Sequence, residues 1–219
     1  MSSEIRANLK LLVIGSSGTG KTSLVQRWTK NEFSGDHRPS IVSEFGFKLF
    51  EYKNKQYRIQ LWDIGGQDKS PSMMNIFAKD TYGCLVLSDC TDQKTLDDCL
   101  EWKNAMSEES EFPDGKNIPF VLVQNKIDLI KDKSELEEIE NNTKKFVENN
   151  QFTSYYMVSV KENIKVNELM KFLIGNIIDR LEIYAESGGQ VFDDQVKRET
   201  IRLQSSDFTA QKPKKGGCC

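Results

Sequence analysis

The sequence predicts an α/β domain: a mostly parallel six-stranded sheet, one strand of it antiparallel, with helices on both faces. Short, mainly apolar runs such as Leu9–Ile14 read as strands buried on both faces. Segments with apolar residues at helical spacing alternate with these runs, as crossovers between parallel strands require. Phe45–Tyr52 and Tyr57–Asp63 have no helical segment between them and read as a hairpin turning at Lys53-Asn54-Lys55.

In chain order, Leu9–Ile14 is followed by a helix from about Lys21 to Thr29, and then by the hairpin. Cys84–Ser88 is a short apolar strand. Leu96, Leu100 and Lys103 begin a helix that ends near Glu109. Pro119–Val123 is a buried strand, and Leu136, Ile139, Thr143 and Phe146 have helical spacing. Tyr155–Val158 reads as the last strand. Leu169, Leu173, Ile177 and Leu181 mark the last helix. From Ser187 the pattern lapses into Gly188-Gly189 and scattered charges. The expected organisation is one domain over residues 1–184 and a flexible tail over 185–219, with at most a short helix between Phe192 and Leu203.

The chain has 219 residues, enough for one sizeable core plus a tail. A net charge of −3 argues against nucleic acid as a partner of the domain body. No apolar run reaches the ~18–20 residues that span a bilayer. Met1-Ser2-Ser3-Glu4-Ile5-Arg6 lacks the apolar region of a signal peptide, so a cytoplasmic protein with reduced thiols is expected. Of the five cysteines, Cys84, Cys90 and Cys99 lie in apolar or helical surroundings and read as packing residues. Cys218 and Cys219 end the chain, behind Lys212-Pro213-Lys214-Lys215-Gly216-Gly217. The single histidine, His37, reads as a surface loop residue, and no metal-ligand spacing is present.

Gly15-Ser16-Ser17-Gly18-Thr19-Gly20-Lys21-Thr22 fits the phosphate-loop pattern G-x-x-x-x-G-K-[ST], after a strand and before a helix. Such a turn aims backbone N–H groups inward, and the helix N-terminus adds positive potential at the same point. Lys21 can reach the β- and γ-phosphates, and the Thr22 hydroxyl can ligate Mg²⁺. A plain Gly/Ser turn would account for the glycines but not for the Lys-Thr pair. This makes the chain a P-loop NTPase and leaves ATP and GTP both open.

Asn125-Lys126-Ile127-Asp128 follows the Pro119–Val123 strand. A carboxylate at Asp128 can accept both guanine donors, N1–H and the 2-amino group, as a bidentate pair. Adenine lacks that donor pair. Asn125 can bond the base or brace neighbouring loops, and the Lys126 stem can cover a face of the base. An exposed polar loop after a strand is the plainer reading of this tetrapeptide taken alone. In Trp62-Asp63-Ile64-Gly65-Gly66-Gln67, Asp63 can hold Mg²⁺ through water. The Gly66 N–H can bond a γ-phosphate, and Gln67 can orient an attacking water.

These three motifs, in this order, resemble the Ras superfamily of small GTPases, and the likeness covers about residues 7–182. It implies that Lys21 and Gln67 are catalytic and that Ser23 belongs to the nucleotide site. Ser159-Val160-Lys161 looks like the last guanine motif, with Val in place of Ala. Phe33 is placed as the aromatic that packs on the base. Ser40 stands where the family has a Thr that contacts Mg²⁺ and γ-phosphate.

Within the superfamily the chain resembles the Rabs. Ser40-Ile41-Val42-Ser43-Glu44-Phe45 is similar to their T-I-G-x-[DE]-F pattern. Phe45, Trp62 and Phe77 fall where Rabs carry an aromatic triad read by effectors; core packing is the plainer reading. Trp102-Lys103, Phe112-Pro113-Asp114-Gly115 and Ile118-Pro119 resemble the subfamily of lysosome-related organelles. The resemblance implies an exchange factor, a GTPase-activating protein, a GDP-dissociation inhibitor and a prenylation escort as partners. It also implies a monomer on the cytosolic face of endomembranes, anchored by geranylgeranyl groups on Cys218 and Cys219.

The second switch departs from the pattern. Asp68-Lys69-Ser70 replaces Glu-Arg-Phe, Ala78-Lys79-Asp80 replaces Tyr-Arg-Gly, and Gly65 replaces Ala. Gly65 frees backbone, and Ser40 lacks the methyl that restricts χ1, so a looser closed state is expected. Two other functions stay open on sequence: a nucleotide-locked membrane scaffold of the same fold, and a P-loop ATPase or kinase.

Overall fold

The computed structural model describes residues 5–34, 44–66, 71–189 and 191. The elements are β1 (Ile5–Gly15), α1 (Lys21–Lys30), β2 (Glu44–Tyr52), β3 (Lys55–Asp63), α2 (Pro71–Ala78), β4 (Thr81–Asp89), α3 (Gln93–Glu109), β5 (Phe120–Asn125), α4 (Lys133–Asn149), β6 (Ser154–Met157) and α5 (Val166–Glu186). A single 3₁₀ turn, Ile127–Leu129, follows β5. The six strands form one sheet in the order β2-β3-β1-β4-β5-β6. Every neighbouring pair is parallel except β2 with β3.

The β2–β3 hairpin turns where the sequence places it. Lys53 and Asn54 both have positive φ, 49° and 60°, and Tyr52 pairs with Lys55. Two left-handed residues give the turn whose twist matches the strands. β3 shows the alternation of a half-covered strand, whereas β5 is buried at every residue. The sequence reads β1 too short: it extends back to Ile5, because Ala7 and Asn8 continue the parallel ladder against Tyr57 and Arg58. α2 was not anticipated. It has eight residues, and among those whose burial is described only Met74 and Ala78 are buried, one turn apart.

α1 and α5 cover one face of the sheet, and α3 packs against β4, β1 and β5 on the other with α2 beside it. α5 buries Leu169, Met170, Leu173, Ile174, Ile177, Ile178 and Leu181, a stripe at three- and four-residue spacing. Cys84, Cys90 and Cys99 are buried, as packing residues should be. α5 ends at Glu186 and is closed by backbone bonds from Ser187 and Gly188 to Ile183 and Ala185. The tail beyond it, with the short helix considered there, lies outside the described residues. No helix among the described residues is long and apolar enough to cross a membrane.

At the amino end of β5, the loop after α3 is clamped to α5. Arg180 Nε and Nη2 donate to the two carboxylate oxygens of Asp114, Nη1 donates to the Asn117 carbonyl, and the guanidinium lies 3.9 Å from the centroid of the Phe112 ring. The Arg180 hydrogen bonds hold the Asp114 carboxyl below its ordinary range. A depressed carboxyl contributes stability above its unfolded pKa, near 3.9, and loses it as pH falls through the folded value. Arg180→Met should therefore destabilise the fold by about 1–2 kcal/mol at neutral pH. It should also flatten the loss of stability below about pH 4. Urea midpoints measured across pH check both.

Candidate nucleotide site

Parallel strands deliver their carboxyl ends to one edge of the sheet. Val13 of β1 aligns with Asp63 of β3, Gly15 with Leu87 of β4, and Asp89 with Asn125 of β5. The three motifs found in sequence therefore open onto a common edge, where open α/β sheets bind ligands.

The phosphate loop turns tightly from β1 into α1. Thr19 is fully buried, and its hydroxyl donates to the Ser16 carbonyl at 2.9 Å. Ser16 Oγ donates to Asp98 Oδ2 of α3 at 2.6 Å. Lys21 is 7% exposed, and its ammonium donates to the Ser16 carbonyl at 2.9 Å. Burial lowers the Lys21 pKa, and the Asp63 charge opposes that shift. A buried ammonium in a ring of backbone amides is suited to a polyanion. Ser17 and Gly18 are exposed, while Ser23 sits half-buried in the first turn of α1.

Asp63, 1% exposed at the end of β3, accepts a hydrogen bond from Thr22 Oγ1 through Oδ2. A hydroxyl and a carboxylate side by side are hard oxygen donors, and they fit Mg²⁺ that takes further oxygens from phosphate and water. Among the described residues no group of three or more His, Cys, Asp or Glu could hold a metal by itself. Gly66 approaches the loop so closely that a Cβ would lie 2.5 Å from Ser17 N and 2.8 Å from Lys21 Nζ. Its backbone is thus held beside the Lys21 ammonium.

Asn125 is 3% exposed and uses both ends of its amide. Nδ2 donates to the Thr19 carbonyl at 2.8 Å, and Oδ1 accepts from Val160 N at 3.0 Å. Of the two readings of Asn125, the brace is the one seen. Gly20 has φ 97°, and a Cβ there would collide with Asn125 Nδ2, so this packing requires glycine. Asp128 Oδ1 accepts from Ser159 Oγ at 2.6 Å, and that hydroxyl oxygen accepts from Glu162 N. The carboxylate is oriented before any base arrives. Val160 is buried and presents its backbone, so Val in place of Ala costs the motif nothing visible.

Several partners of the site belong to no motif in the sequence. Lys126 Nζ pairs with Asp89 Oδ2 at 2.6 Å. Burial alone would raise the Asp89 carboxyl, but the Lys126 and Thr91 hydrogen bonds outweigh it and hold it low. Arg27 donates to the carbonyls of Val160 and Lys161, tying α1 to the last motif, and its guanidinium lies 5.7 Å from the Phe33 ring centroid. Asp89 does end its strand as Asp63 and Asn125 end theirs, which was a usable clue. Ser40, Gln67, His37, Cys218 and Cys219 lie outside the described residues.

The aromatic triad is assembled. Phe45 and Trp62 meet edge-on with centroids 5.2 Å apart, and Trp62 meets Phe77 at 6.4 Å. Phe45 is 48% exposed, which core packing alone does not explain. Lys10 of β1 underpins this face. Its ammonium donates to the carbonyls of Phe77 and Lys79 at 2.6 and 2.7 Å and lies 5.1 Å from the Trp62 ring centroid. Asp80, in place of Gly, adopts φ 58°, a left-handed backbone that Asp tolerates, and its charge faces Lys10.

Comparison with known proteins decides the family. The Ras family matches residues 10–179. Ras-related protein Rab-32 of Mus musculus is 35% identical over 177 residues, covering 80% of this chain and 78% of its own. Rab-32 of Sus scrofa is 32% identical over 99% of this chain and 91% of its own, and Ras-related protein Rab-7L1 of Rattus norvegicus is 30% identical over 96% of both.

This chain is a Rab-family small GTPase. It falls with the Rab-32 and Rab-7L1 proteins, in keeping with the subfamily resemblance of its Trp102–Pro119 region. Rab proteins are membrane-trafficking GTPases that bind GTP and GDP, typically with Mg²⁺. In this Rab, Lys10→Met should leave nucleotide affinity unchanged and release the end of α2. Two hydrogen bonds to an ammonium are lost, so amide exchange within Pro71–Ala78 should quicken about tenfold or more, read by hydrogen–deuterium exchange of the nucleotide-loaded protein.

Proposed function

We propose that this Rab is a GTP/GDP switch whose G domain occupies residues 1–184 and whose tail, residues 185–219, carries the membrane anchor. The observation that carries the reading is the Asn125 side chain. It joins the phosphate loop to the last guanine motif and so puts Lys21 and Asp128 on one continuous surface. A ligand spanning that surface needs a guanine base at one end and phosphates at the other.

In this reading the Asp128 carboxylate accepts the two guanine donors. The Lys126 stem and the Phe33 ring flank the base, and Ser159, Val160 and Lys161 close over it. Gly15–Thr22 cradle the phosphates with Ser23 behind them, and Lys21 neutralises the charge that grows on the transferring phosphoryl group. Thr22 and Asp63 would hold Mg²⁺, joined by Ser40; the cation adds positive charge at the phosphate oxygens. Gln67 orients the water that yields GDP and phosphate. Intrinsic turnover is slow, and an activating protein adds about 10³–10⁵-fold. Effectors read Phe45, Trp62 and Phe77 in the GTP state, while exchange factor, GDP-dissociation inhibitor and prenylation escort engage the same monomer. Nucleic acid is not among its partners.

Two variants test the nucleotide assignment. Lys21→Ala should abolish measurable GTP affinity, and Asp128→Ala should weaken GTP by at least about 10²-fold without strengthening ATP. Competition binding with both nucleotides reads this. Normal GTP binding by Lys21→Ala would overturn the site, and ATP preference in the parent protein would favour a P-loop ATPase or kinase. A hydrolysis time course that stays flat even with an activating protein would favour the locked scaffold.

The anchor reading rests on the terminal cysteines. Two lipid chains give stable anchoring where one is marginal. Lys212, Lys214 and Lys215 each add about 1 kcal/mol near an anionic leaflet. Cys218→Ser with Cys219→Ser should shift the protein expressed in cells from the membrane pellet to the supernatant. Unchanged pelleting would refute lipidation.

A further inference from the structure

Trp102-Lys103 and Ile118-Pro119 set this chain's subfamily resemblance, and the nucleotide site uses none of them. They meet at the opposite end of the sheet, where β5 begins. A depression of about 200 Å³ lies there, between α3, the start of β5 and α5. Ile118, Pro119 and Phe120 are its buried floor. Lys103, Ser107 and Arg180 form half-buried walls, and Asn117, Thr153 and Asn176 an exposed rim.

We propose that this depression, centred on the Lys103 ammonium, binds a phosphate-sized oxyanion presented as a phosphomonoester. Trp102 is fully buried and fixes the rotation of α3, so its neighbour Lys103 is directed to the cavity rather than free to swing into solvent. The Lys103 ammonium stands over two rings, 5.9 Å from the centroid of Phe120 and 5.5 Å from that of Phe152. Burial lowers its pKa with no opposing carboxylate. Among the described residues it has no ion pair. The other cation is different in kind. Arg180 is held on both oxygens of Asp114 and on the Asn117 carbonyl, so its charge is neutralised and its plane is rigid. One uncompensated charge therefore remains, on Lys103.

The rest of the lining suits the same ligand. Thr153 Oγ1 accepts from Phe120 N, which leaves its own hydrogen to donate. The Asn117 and Asn176 amides carry further donors at the rim. A volume of about 200 Å³ is below the ~300–1,000 Å³ of pockets for drug-sized ligands. It is several times a water's share of ~30 Å³, which leaves room for a phosphate group and little more. Lysine is the point-charge partner suited to such a group. The ligand could be free in solution or be the headgroup of a lipid. α5, which supplies Asn176 and Arg180, leads directly into the tail that carries the proposed anchor.

The experiment uses the full, unprenylated chain loaded with GDP and Mg²⁺, which keeps the nucleotide site filled. Inorganic phosphate is titrated while backbone amide resonances are followed. Saturable shifts centred on Asn117, Thr153 and Asn176 are expected, with apparent affinity weakened about tenfold or more in Lys103→Gln. Asn176→Asp, a rim change that spares the core, should weaken it as well, and GDP affinity should hold in both variants. No saturation, shifts unaffected by either variant, or an equal response to acetate would overturn the proposal. Flotation with phosphatidylcholine vesicles, plain or doped with a phosphoinositide, then separates the sources. Lys103-dependent retention on the doped vesicles assigns a lipid headgroup, and phosphate binding without retention assigns a soluble phosphomonoester.

Discussion

The Asn125 amide is the interaction on which the nucleotide end of this molecule depends. Motifs separated by more than a hundred residues must present their ligating atoms in one frame. A single buried side chain does this by hydrogen-bonding Thr19 on one side and Val160 on the other. An aspartate could not donate to Thr19, a leucine could do neither, and each would leave a buried backbone group unsatisfied. The amide also dictates its neighbour, because Gly20 must lack a Cβ for Asn125 to pack there. Further ties follow the same plan. Arg27 grips the carbonyls of the last motif, Ser159 orients Asp128, and Lys126 anchors on Asp89. The guanine side is thereby rigid before any ligand arrives, which lowers the ordering cost of binding.

The switch side is built on the opposite principle. The described part of the second switch touches the phosphate loop through Gly66 and is held at its far end by Lys10. Gly65, immediately before the first of these points, has no side chain to restrain it. Backbone freedom beside a fixed contact is what a bistable element needs. Lys10 also lies against Trp62, so the aromatic face and the end of α2 share one anchor. Displacement of α2 would be felt at Phe77 and Trp62 together, so the proposed effector surface would move as one.

Much of this was legible because the relevant signals are local. The mainly apolar run Leu9–Ile14, the glycines of 15–20 and the position of Asp128 after a strand each carry their meaning within a few residues, and the six strands follow from such patterns. What could not be read is what depends on partners far away in sequence. Nothing about Lys10 or Asp98 announces that one will cap α2 and the other will bind Ser16. α2 was missed because eight residues offer too few turns for periodicity, and it is held by Lys10 and tertiary packing. The identity of Asp80 read as a departure from pattern. Its positive φ shows a left-handed backbone, a conformation that glycine meets most easily and that Asp tolerates.

The two ends of the sheet divide the work. The carboxyl ends of the parallel strands converge on the proposed nucleotide site, where one ligand would fix the geometry. The amino ends of β4 and β5 carry no such demand, so side chains there can differ among relatives without damage to the switch. The Arg180 clamp and the Lys103 depression occupy that less constrained end. The core between them is continuous: Cys99 of α3 packs under Leu87 of β4, two residues short of the Asp89 that anchors Lys126. α3 itself bears Asp98 toward the phosphate loop and Lys103 toward the depression, little more than one helical turn apart. A rigid shift of α3 would therefore move both. The helix that distinguishes this chain at one end is bonded to its phosphate loop at the other.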